Sequence, residues 1–372
     1  MAMRENRQLT KAKSAKNDEF YTQYNDIQKE VNAYFDFNPD TFRGKTVLLP
    51  CDDPEWSKFT RFFAENFERL GLKKLISTSY AAASKKVKAF YQPTLFETES
   101  PQFDKKKTEV RGKIFVLDHD TNANGRVDLD DLEWRYLEGD GDFRSQEVRK
   151  LRDEADIIVT NPPFSLFREF LAWIVEAKKQ FLIIGNINCI TYKEVFPRIM
   201  RNEAWLGHGM GRWISGFIVP ACYELYGSEA GIDEDGNHIV ATNNCLWLTN
   251  IDHERRHQPL QLMTMDDNIR YSKHKDVRDV GYRRYDNYEA IEVPHTDSIP
   301  ADYEGVMGVP ITFLDKYCPD QFEIMGASES EGVGFSNGLW NSESGVAQPI
   351  IAGIKVYKRL FIRARKSMGD AK

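Results

Sequence analysis

Residues 156–185 read DIIVTNPPFSLFREFLAWIVEAKKQFLIIG, and the hydrophobic period changes twice within them. Asp156–Thr160 is a β-branched apolar run of strand length. Leu166–Lys179 gathers its apolar side chains on one helical face, and Phe181–Gly185 returns to an unbroken apolar run. A strand, a helix and a strand in that order predict a right-handed crossover between parallel neighbours. Between the first strand and the helix stand Asn161-Pro162-Pro163-Phe164. Ligands of open α/β sheets bind outside the carboxyl ends of the strands, which is where this tetrapeptide falls.

The same alternation extends in both directions. Upstream, Lys45–Pro50 (KTVLLP) and Lys73–Tyr80 (KKLISTSY) read as strands. Glu55–Leu70 between them repeats Trp56, Phe59, Phe63, Phe67 and Leu70 at helical spacing, with Gly71 placed to end the helix. Trp134–Glu138 reads as a short strand and Ser145–Glu154 as a helix. Downstream, Phe217–Pro220 and Cys245–Thr249 are expected to complete the sheet. The fold class predicted is α/β: a mostly parallel, twisted sheet with helices on both faces. Three stretches break the rhythm. Residues 1–17 form a polar arm, 81–133 a polar insertion with a hairpin at Asn124-Gly125, and 252–372 a Tyr-, Asp- and Arg-rich second region.

Composition narrows the class. Hydrophobic residues make up 41% and charged residues 29% of 372, which excludes a fibrous or wholly disordered chain. No apolar run reaches the roughly 18–20 residues of a membrane span, and the first twenty residues lack the apolar core of a secretory signal. Five cysteines (Cys51, Cys189, Cys222, Cys245, Cys318) never form a C-x-x-C pair. Neither a disulfide framework nor a zinc ribbon is expected, and a reducing cytoplasm fits. The net charge of −7 does not advertise a nucleic-acid partner. Cations nevertheless cluster at Arg4, Arg7, Lys11, Lys13 and Lys16, and again at Lys355, Lys358, Arg359, Arg363, Arg365 and Lys366. These read either as solvated ends or as phosphate contacts.

The tetrapeptide 161–164 has a chemistry of its own. Consecutive prolines fix the backbone and offer carbonyls without competing N–H donors. Asn161 adds a side-chain carbonyl. Two acceptors at fixed geometry beside the flat ring of Phe164 suit an exocyclic amine on a planar base, the ring stacking on it. The plainer reading is a stiff turn capped by Ser165. Other strand ends carry matching residues. Cys51-Asp52-Asp53-Pro54 follows KTVLLP; its carboxylates suit the amino group of an amino-acid-like cofactor or, alternatively, cap a helix. Phe20-Tyr21-Thr22 offers an aromatic pair and a hydroxyl, or a surface turn. Gly139-Asp140-Gly141-Asp142-Phe143 allows close backbone approach, with Asp142 placed to accept from an adenine amine and Phe143 to pack on the ring; the alternative is a glycine turn.

In this order, DEFYTQ, LLPCDDP, GDGDF, IIVTNPPFSLFREF, FLIIGNIN, SGFIVP, NNCLWLTN and GVPITFLDKY resemble the EcoRI-type adenine-specific DNA methyltransferases, from about residue 16 to about residue 325. The resemblance implies a class I Rossmann-like fold, S-adenosyl-L-methionine as cofactor, and N6 methylation of adenine in double-stranded DNA by base flipping, with no metal. It implies a catalytic role for Asn161, Pro162 and Phe164, with Pro163 stiffening the corner. It implies a cofactor role for Phe20, Tyr21, Thr22, Asp52, Asp53, Pro54, Asp142 and Phe143, with Cys51 opening the second segment. Residues 18–251 then form the catalytic domain and 252–372 the target-recognition region, where Arg255, Arg256, Arg283, Arg284 and KRLFIRARK would face DNA. A monomer paired functionally with a restriction endonuclease is the expected state. Two departures stand out: the first strand lacks a glycine-rich loop, and LISTSY ends without an acidic residue for the cofactor ribose. Methylation of an RNA base or of a protein glutamine is the alternative use of the same corner.

Two further motifs compete for attention. Asp120–Asp131 (DTNANGRVDLDD) has calcium-loop spacing, but its twelfth position is Asp rather than a bidentate Glu, so a polar hairpin is expected. His253-Glu254-Arg255-Arg256-His257 matches H-E-x-x-H without the apolar periodicity of a packed zinc-binding helix, so no metalloprotease is expected.

Overall fold

The computed structural model describes residues 20–52, 58–81, 98, 100–210, 214–219, 230–232, 236–241, 244–328 and 348–365. The first strand, β1 (Tyr21–Thr22), leads into α1 (Tyr24–Phe37), which buries Ile27, Val31 and Tyr34 along one stripe. Then follow β2 (Thr46–Leu49), α2 (Lys58–Glu65), α3 (Phe67–Leu70), β3 (Lys74–Ser79), α4 (Lys105–Val110), β4 (Lys113–Leu117) and β5 (Glu133–Tyr136). The chain continues through α5 (Gln146–Glu154), β6 (Ile157–Thr160), α6 (Phe167–Glu176), β7 (Gln180–Asn186), α7 (Phe196–Met200), β8 (Trp205–Met210), β9 (Phe217–Val219), β10 (Ala230–Ile232), β11 (His238–Val240) and β12 (Cys245–Thr249). Gly71 ends α3 in the left-handed conformation, φ 65°, as its place in the sequence suggests.

Eight strands form one sheet in the order β5-β4-β3-β2-β6-β7-β12-β8. At its centre β3, β2, β6 and β7 run parallel. Every residue of β2 and β6 is buried, which is why both read as unbroken apolar runs. The phenylalanines of α2 and α3 pack with β2 and with Trp247 of β12 in one core cluster. Two expectations need correction. The sheet is mixed rather than mostly parallel, because β4 and β12 pair antiparallel with β3 and β7, and β5 antiparallel with β4. Residues 217–219 do not complete it either. They pair with β1 and β11 in a separate antiparallel sheet, β1-β9-β11-β10, so short apolar runs of equal strength belong to different sheets.

By contact density the described residues up to Ile187 together with Gly209–Ile251 form one unit; Asn188–His208 and the residues from Asp252 onward form a second. The second contains α8 (Met265–Tyr271), α9 (Lys275–Arg278), β13 (Ile291–Glu292), β14 (Met307–Pro310), β15 (Phe322–Ala327), a hairpin of β16 (Ile350–Ile351) and β17 (Ile354–Lys355), and β18 (Arg359–Ala364). Its main sheet runs β13-β14-β18-β15. β18 is therefore an interior strand with Leu360, Phe361 and Ile362 wholly buried. That corrects the reading of KRLFIRARK as a basic DNA-facing end: its central apolar triplet takes the segment into the core. Among the described residues no helix is long and apolar enough to cross a membrane.

Candidate active site

The parallel strands of the first unit deliver their carboxyl ends to one place. Thr160, the last residue of β6, donates its hydroxyl to the Pro50 carbonyl just past β2 at 2.7 Å. The next residue is Asn161. Its Nδ2 donates to the Phe20 carbonyl at 2.7 Å. That bond fixes the amide so that Oδ1 is the remaining polar atom. Oδ1 is buried and has no hydrogen-bond partner. A buried acceptor left alone costs about 1–3 kcal/mol unless something else satisfies it. Pro163 takes an extended conformation, φ −53° and ψ 122°, and Phe164 opens a short 3-10 turn into α6. The half-buried Phe164 ring lies 5.5 Å from Phe20 and 6.2 Å from Phe217, centroid to centroid. The corner is thus held from three sides: by β2, by the chain entering β1, and by an aromatic trio.

Two residues beyond Phe20, Thr22 repeats the pattern. It is 1% exposed, and its hydroxyl also lacks a partner. Tyr21 and Thr22 are held as a strand by Ile218 and Phe217. Tyr21 and Thr22 therefore lie in a small sheet, with Phe20 directly before it, not in a free surface turn.

At the end of β2, Cys51 adopts φ 63°, a left-handed conformation unusual outside glycine. Its thiol donates to the Tyr80 hydroxyl at 3.4 Å, and burial pushes the thiol up to about 12. Asp52 is 3% exposed, and one carboxylate oxygen accepts from the Thr60 N–H at 3.2 Å and the Thr60 hydroxyl at 2.6 Å. It thereby serves α2 from outside the helix. Asp53 and Pro54 lie outside the described residues.

The GDGDF loop packs against the end of β3. Ala81 donates to the Asp140 carbonyl at 2.8 Å. Gly141 has φ 86°, and a Cβ there would stand 2.3 Å from the Ser79 carbonyl oxygen, so only glycine fits the seam. Asp142 is held by Arg144 through Oδ2–Nη2 at 2.6 Å and Oδ1–Nε at 2.9 Å. That guanidinium keeps the carboxyl below the usual carboxylate range. Arg144 reaches on to Glu169 of α6 at 3.1 Å. Phe143 is 1% exposed, its ring 5.1 Å from Phe170 and 5.6 Å from Trp173. It packs in the core against α6 rather than presenting an open face, which differs from the stacking role expected of it.

Tyr80 escaped the sequence reading. It follows β3 directly, receives the Cys51 thiol, and is hydrogen-bonded by the Phe143 main chain. Burial raises its pKa above the ordinary tyrosine value. The sequence reading ran the strand through Tyr80, whereas the strand ends at Ser79 and leaves Tyr80 as the first residue past it.

The competing motifs resolve differently. The carboxylates of the 120–131 loop accept from its own backbone, Asp120 from Gly125 at 2.7 Å and Asp131 from Thr121 at 2.9 Å. The loop links β4 and β5, which pair antiparallel around it. In H-E-x-x-H, His253 is buried with Nε2 2.9 Å from the Leu206 carbonyl, while His257 pairs with Asp252 at 2.9 Å. The two imidazoles serve separate structural partners, and burial lowers His253 to about 4. The cations expected on DNA are also largely engaged. Arg255 pairs with Asp315 at 2.9 Å, and Arg256 is paired with Asp252 at 2.6 Å while lying 3.5 Å over the Trp205 ring. Arg283 and Arg284 are exposed.

The second unit contains a broad groove of about 1810 Å³ lined by Arg201, Arg256, Arg363 and Arg365 and, on the opposing side of the charge balance, by carboxylates that include Asp302 and Asp320. It shares no residue with the Asn161 corner.

The family described as adenine-specific methyltransferase EcoRI matches residues 8–365. The chain is 46% identical over 320 residues to the Type II methyltransferase M.EcoRI of Escherichia coli, covering 86% of this chain and 89% of that protein. It is 33% identical over 321 residues to M.MpnI of Mycoplasma pneumoniae, with 85% and 84% covered, and 32% identical over 319 residues to M.MgeORF184P of Mycoplasma genitalium, with 85% of each covered. No solved structure matches the chain. With near-complete coverage of both partners added to an acceptor corner at the end of β6, the chain belongs to the EcoRI family of adenine-specific methyltransferases.

Proposed function

We propose that this chain methylates the N6 amine of adenine at a specific site in double-stranded DNA, and that Asn161 Oδ1 is the atom that grips the amine. The buried, unpartnered Oδ1 carries this reading. An exocyclic amine offers two N–H groups, and Oδ1 with the Pro162 carbonyl gives them two acceptors on a backbone that proline holds rigid. Both hydrogens engaged this way draw the nitrogen lone pair out of conjugation with the ring. The same two dipoles stabilise the positive charge that develops on nitrogen. Neither group takes the proton, which leaves to water. The base must leave the stack to reach the corner, and Phe164 offers it a ring face.

S-adenosyl-L-methionine, when bound, supplies the electrophilic methyl carbon. The residues present suit it. Thr22 has an unsatisfied hydroxyl for a carboxylate, and Phe20 and Tyr21 flank it. Asp52 and Asp142 stand at neighbouring strand ends but already have partners in Thr60 and Arg144, so their role is to receive further donors or to shape the loops. Phe143 supports from beneath through α6. This reading gives the first unit a Rossmann-like methyltransferase fold, with its ligands outside the carboxyl ends of the parallel strands. Residues 252–372 are our candidate for target recognition: a groove offering both guanidinium donors and carboxylate acceptors suits the mixed pattern of base edges better than a track of phosphates. A monomeric, cytoplasmic enzyme with a restriction endonuclease of matching specificity completes the reading.

The test is expression in a host lacking adenine methylation, followed by sequencing for N6-methyladenine. Marks at one short sequence are expected. Asn161→Ala should lower kcat by about 10²–10³ while leaving the circular dichroism spectrum unchanged. Undiminished marking by Asn161→Ala would remove the corner from the mechanism.

A further inference from the structure

The loops after β2, β3 and β5 leave the sheet of the first unit on one side, and Tyr80 joins them. β2 and β3 are parallel neighbours, and β4 runs antiparallel to both β3 and β5, so all three strands point the same way. The Cys51 thiol, just past β2, donates to the Tyr80 hydroxyl at 3.4 Å, and the Phe143 main chain reaches the same oxygen from the GDGDF loop. The backbone around this meeting point is tied on both sides of Tyr80. Before it, the Asp52 N–H donates to the Thr78 carbonyl at 2.9 Å; after it, the Ala81 N–H donates to the Asp140 carbonyl at 2.8 Å.

Counting protons at the Tyr80 oxygen leaves one unused. Burial raises both the thiol and the phenol, so each keeps its proton. Sulfur is the poorer acceptor of the two, so the thiol donates and the phenol oxygen accepts. The main-chain N–H of Phe143 is a donor as well. Both lone pairs of the hydroxyl oxygen are then occupied, and its own O–H has to donate to a further atom. Among the described residues no acceptor takes it. Tyr80 is only partly covered, so a ligand can reach it. The strand before it ends in Ser77, Thr78 and Ser79 and offers no carboxylate.

We propose that the Tyr80 O–H donates to a ribose hydroxyl oxygen of S-adenosyl-L-methionine, and so takes the place of the carboxylate missing from the end of β3. The inference rests on the methyltransferase reading above and names the contact for one part of the cofactor. Covalent order selects the ribose, which joins the methionyl chain of the cofactor to its adenine. On that reading the segment after β2 serves the amino-acid end and the GDGDF loop, through Asp142, the adenine. Tyr80 is bonded to both segments, so it meets the part that lies between. In open nucleotide-binding sheets the ribose lies at the end of a strand beside the one that opens the site. A carboxylate there accepts from ribose hydroxyls, whereas a neutral phenol reverses one bond and donates. Tyr80 thus binds the cofactor and has no share in the methyl transfer itself.

Calorimetry on the whole chain with S-adenosylhomocysteine and its 2′-deoxy and 3′-deoxy analogues tests the contact. Tyr80→Phe should weaken binding of S-adenosylhomocysteine about 3- to 10-fold, the effect of one neutral hydrogen bond. For the analogue that lacks the accepting hydroxyl, the unsubstituted chain should show a similar loss, and Tyr80→Phe should add little to it. Melting curves without ligand establish that Tyr80→Phe is folded at the temperature of the titration. Equal affinity of the two chains for S-adenosylhomocysteine overturns the contact. A Tyr80→Phe penalty that persists with both analogues also overturns it, since the acceptor would then lie on the adenine or the methionyl part. Should Tyr80→Phe fail to fold, undiminished binding of both analogues by the unsubstituted chain overturns the contact, and loss with one of them alone sustains it. An unsubstituted chain that binds no S-adenosylhomocysteine would overturn the methyltransferase reading itself, a result distinct from all of these.

Discussion

Asn161 and Thr22 share a property that no reading of the sequence could supply: each buries an oxygen with nothing to bond. What the sequence showed was the residue types at a strand end. The unpaired state depends on the Phe20 carbonyl taking Nδ2, a contact across more than a hundred residues. A buried hydroxyl without a partner weakens a fold, so Thr22→Val, of nearly the same shape, should leave stability unchanged or raise it slightly. If the hydroxyl serves the cofactor's carboxylate, the same substitution should raise KM for S-adenosylmethionine by about 2- to 10-fold, with kcat much less affected. Steady-state kinetics beside a urea melt separates the two effects. An unchanged KM would leave Thr22 a purely structural residue. Tyr80 was passed over for the opposite reason. Its aromatic side chain suits a strand, and only the fold reveals that it stands one residue past the strand, between Cys51 and the loop at Phe143.

Among the elements, the parallel core was legible because strands buried on both faces leave unbroken apolar runs, as in TVLL and IIVT. β9 was misread because a short run does not say which sheet it joins, and β18 because its cations drew the reading away from its apolar triplet. β18 is the more instructive case, since its arginines looked like an exposed basic end. Arg359 instead meets Glu292 at 2.6 Å, with side chains 11% and 8% exposed, and Glu292 also receives the Tyr285 hydroxyl. Arg363, four residues on, meets Glu323 at 2.9 Å with both side chains more than two-fifths exposed. Burial decides which pair matters. Arg359→Ala strands a buried carboxylate and should destabilise the protein by about 3–5 kcal/mol. Arg363→Ala gives up a solvent-screened pair and should change stability by less than about 1 kcal/mol. Denaturant melts of the two variants under identical conditions check the ranking, and equal losses would mean that the Arg359 pair is not buried as described.

For the molecule as a whole, charge poses the remaining problem. A chain of net charge −7 must hold a polyanion, and many cations that the sequence offered for this purpose have internal partners: Arg255 with Asp315, Arg256 with Asp252, Arg359 with Glu292 and Arg363 with Glu323. Pairing of that kind, three of the four pairs joining residues far apart in sequence, is invisible in a composition count, as is the joining of residues 188–208 to the second unit. Phosphate contacts then have to come from elsewhere. The sequence places Arg4, Arg7, Lys11, Lys13 and Lys16 within its first 17 residues, against the single carboxylate of Glu5. If these cations meet phosphates on binding, each releases close to one counterion, and removing all five should reduce the slope of log Kobs against log salt by up to about 4.5. Deletion of residues 2–17 leaves Phe20 and Thr22 in the chain, so cofactor binding should persist while DNA affinity falls alike for target and random duplexes. Fluorescence anisotropy across a salt series measures both quantities. A slope that stays the same after the deletion would place the phosphate contacts on the folded units, with exposed Arg283 and Arg284 as the next residues to test.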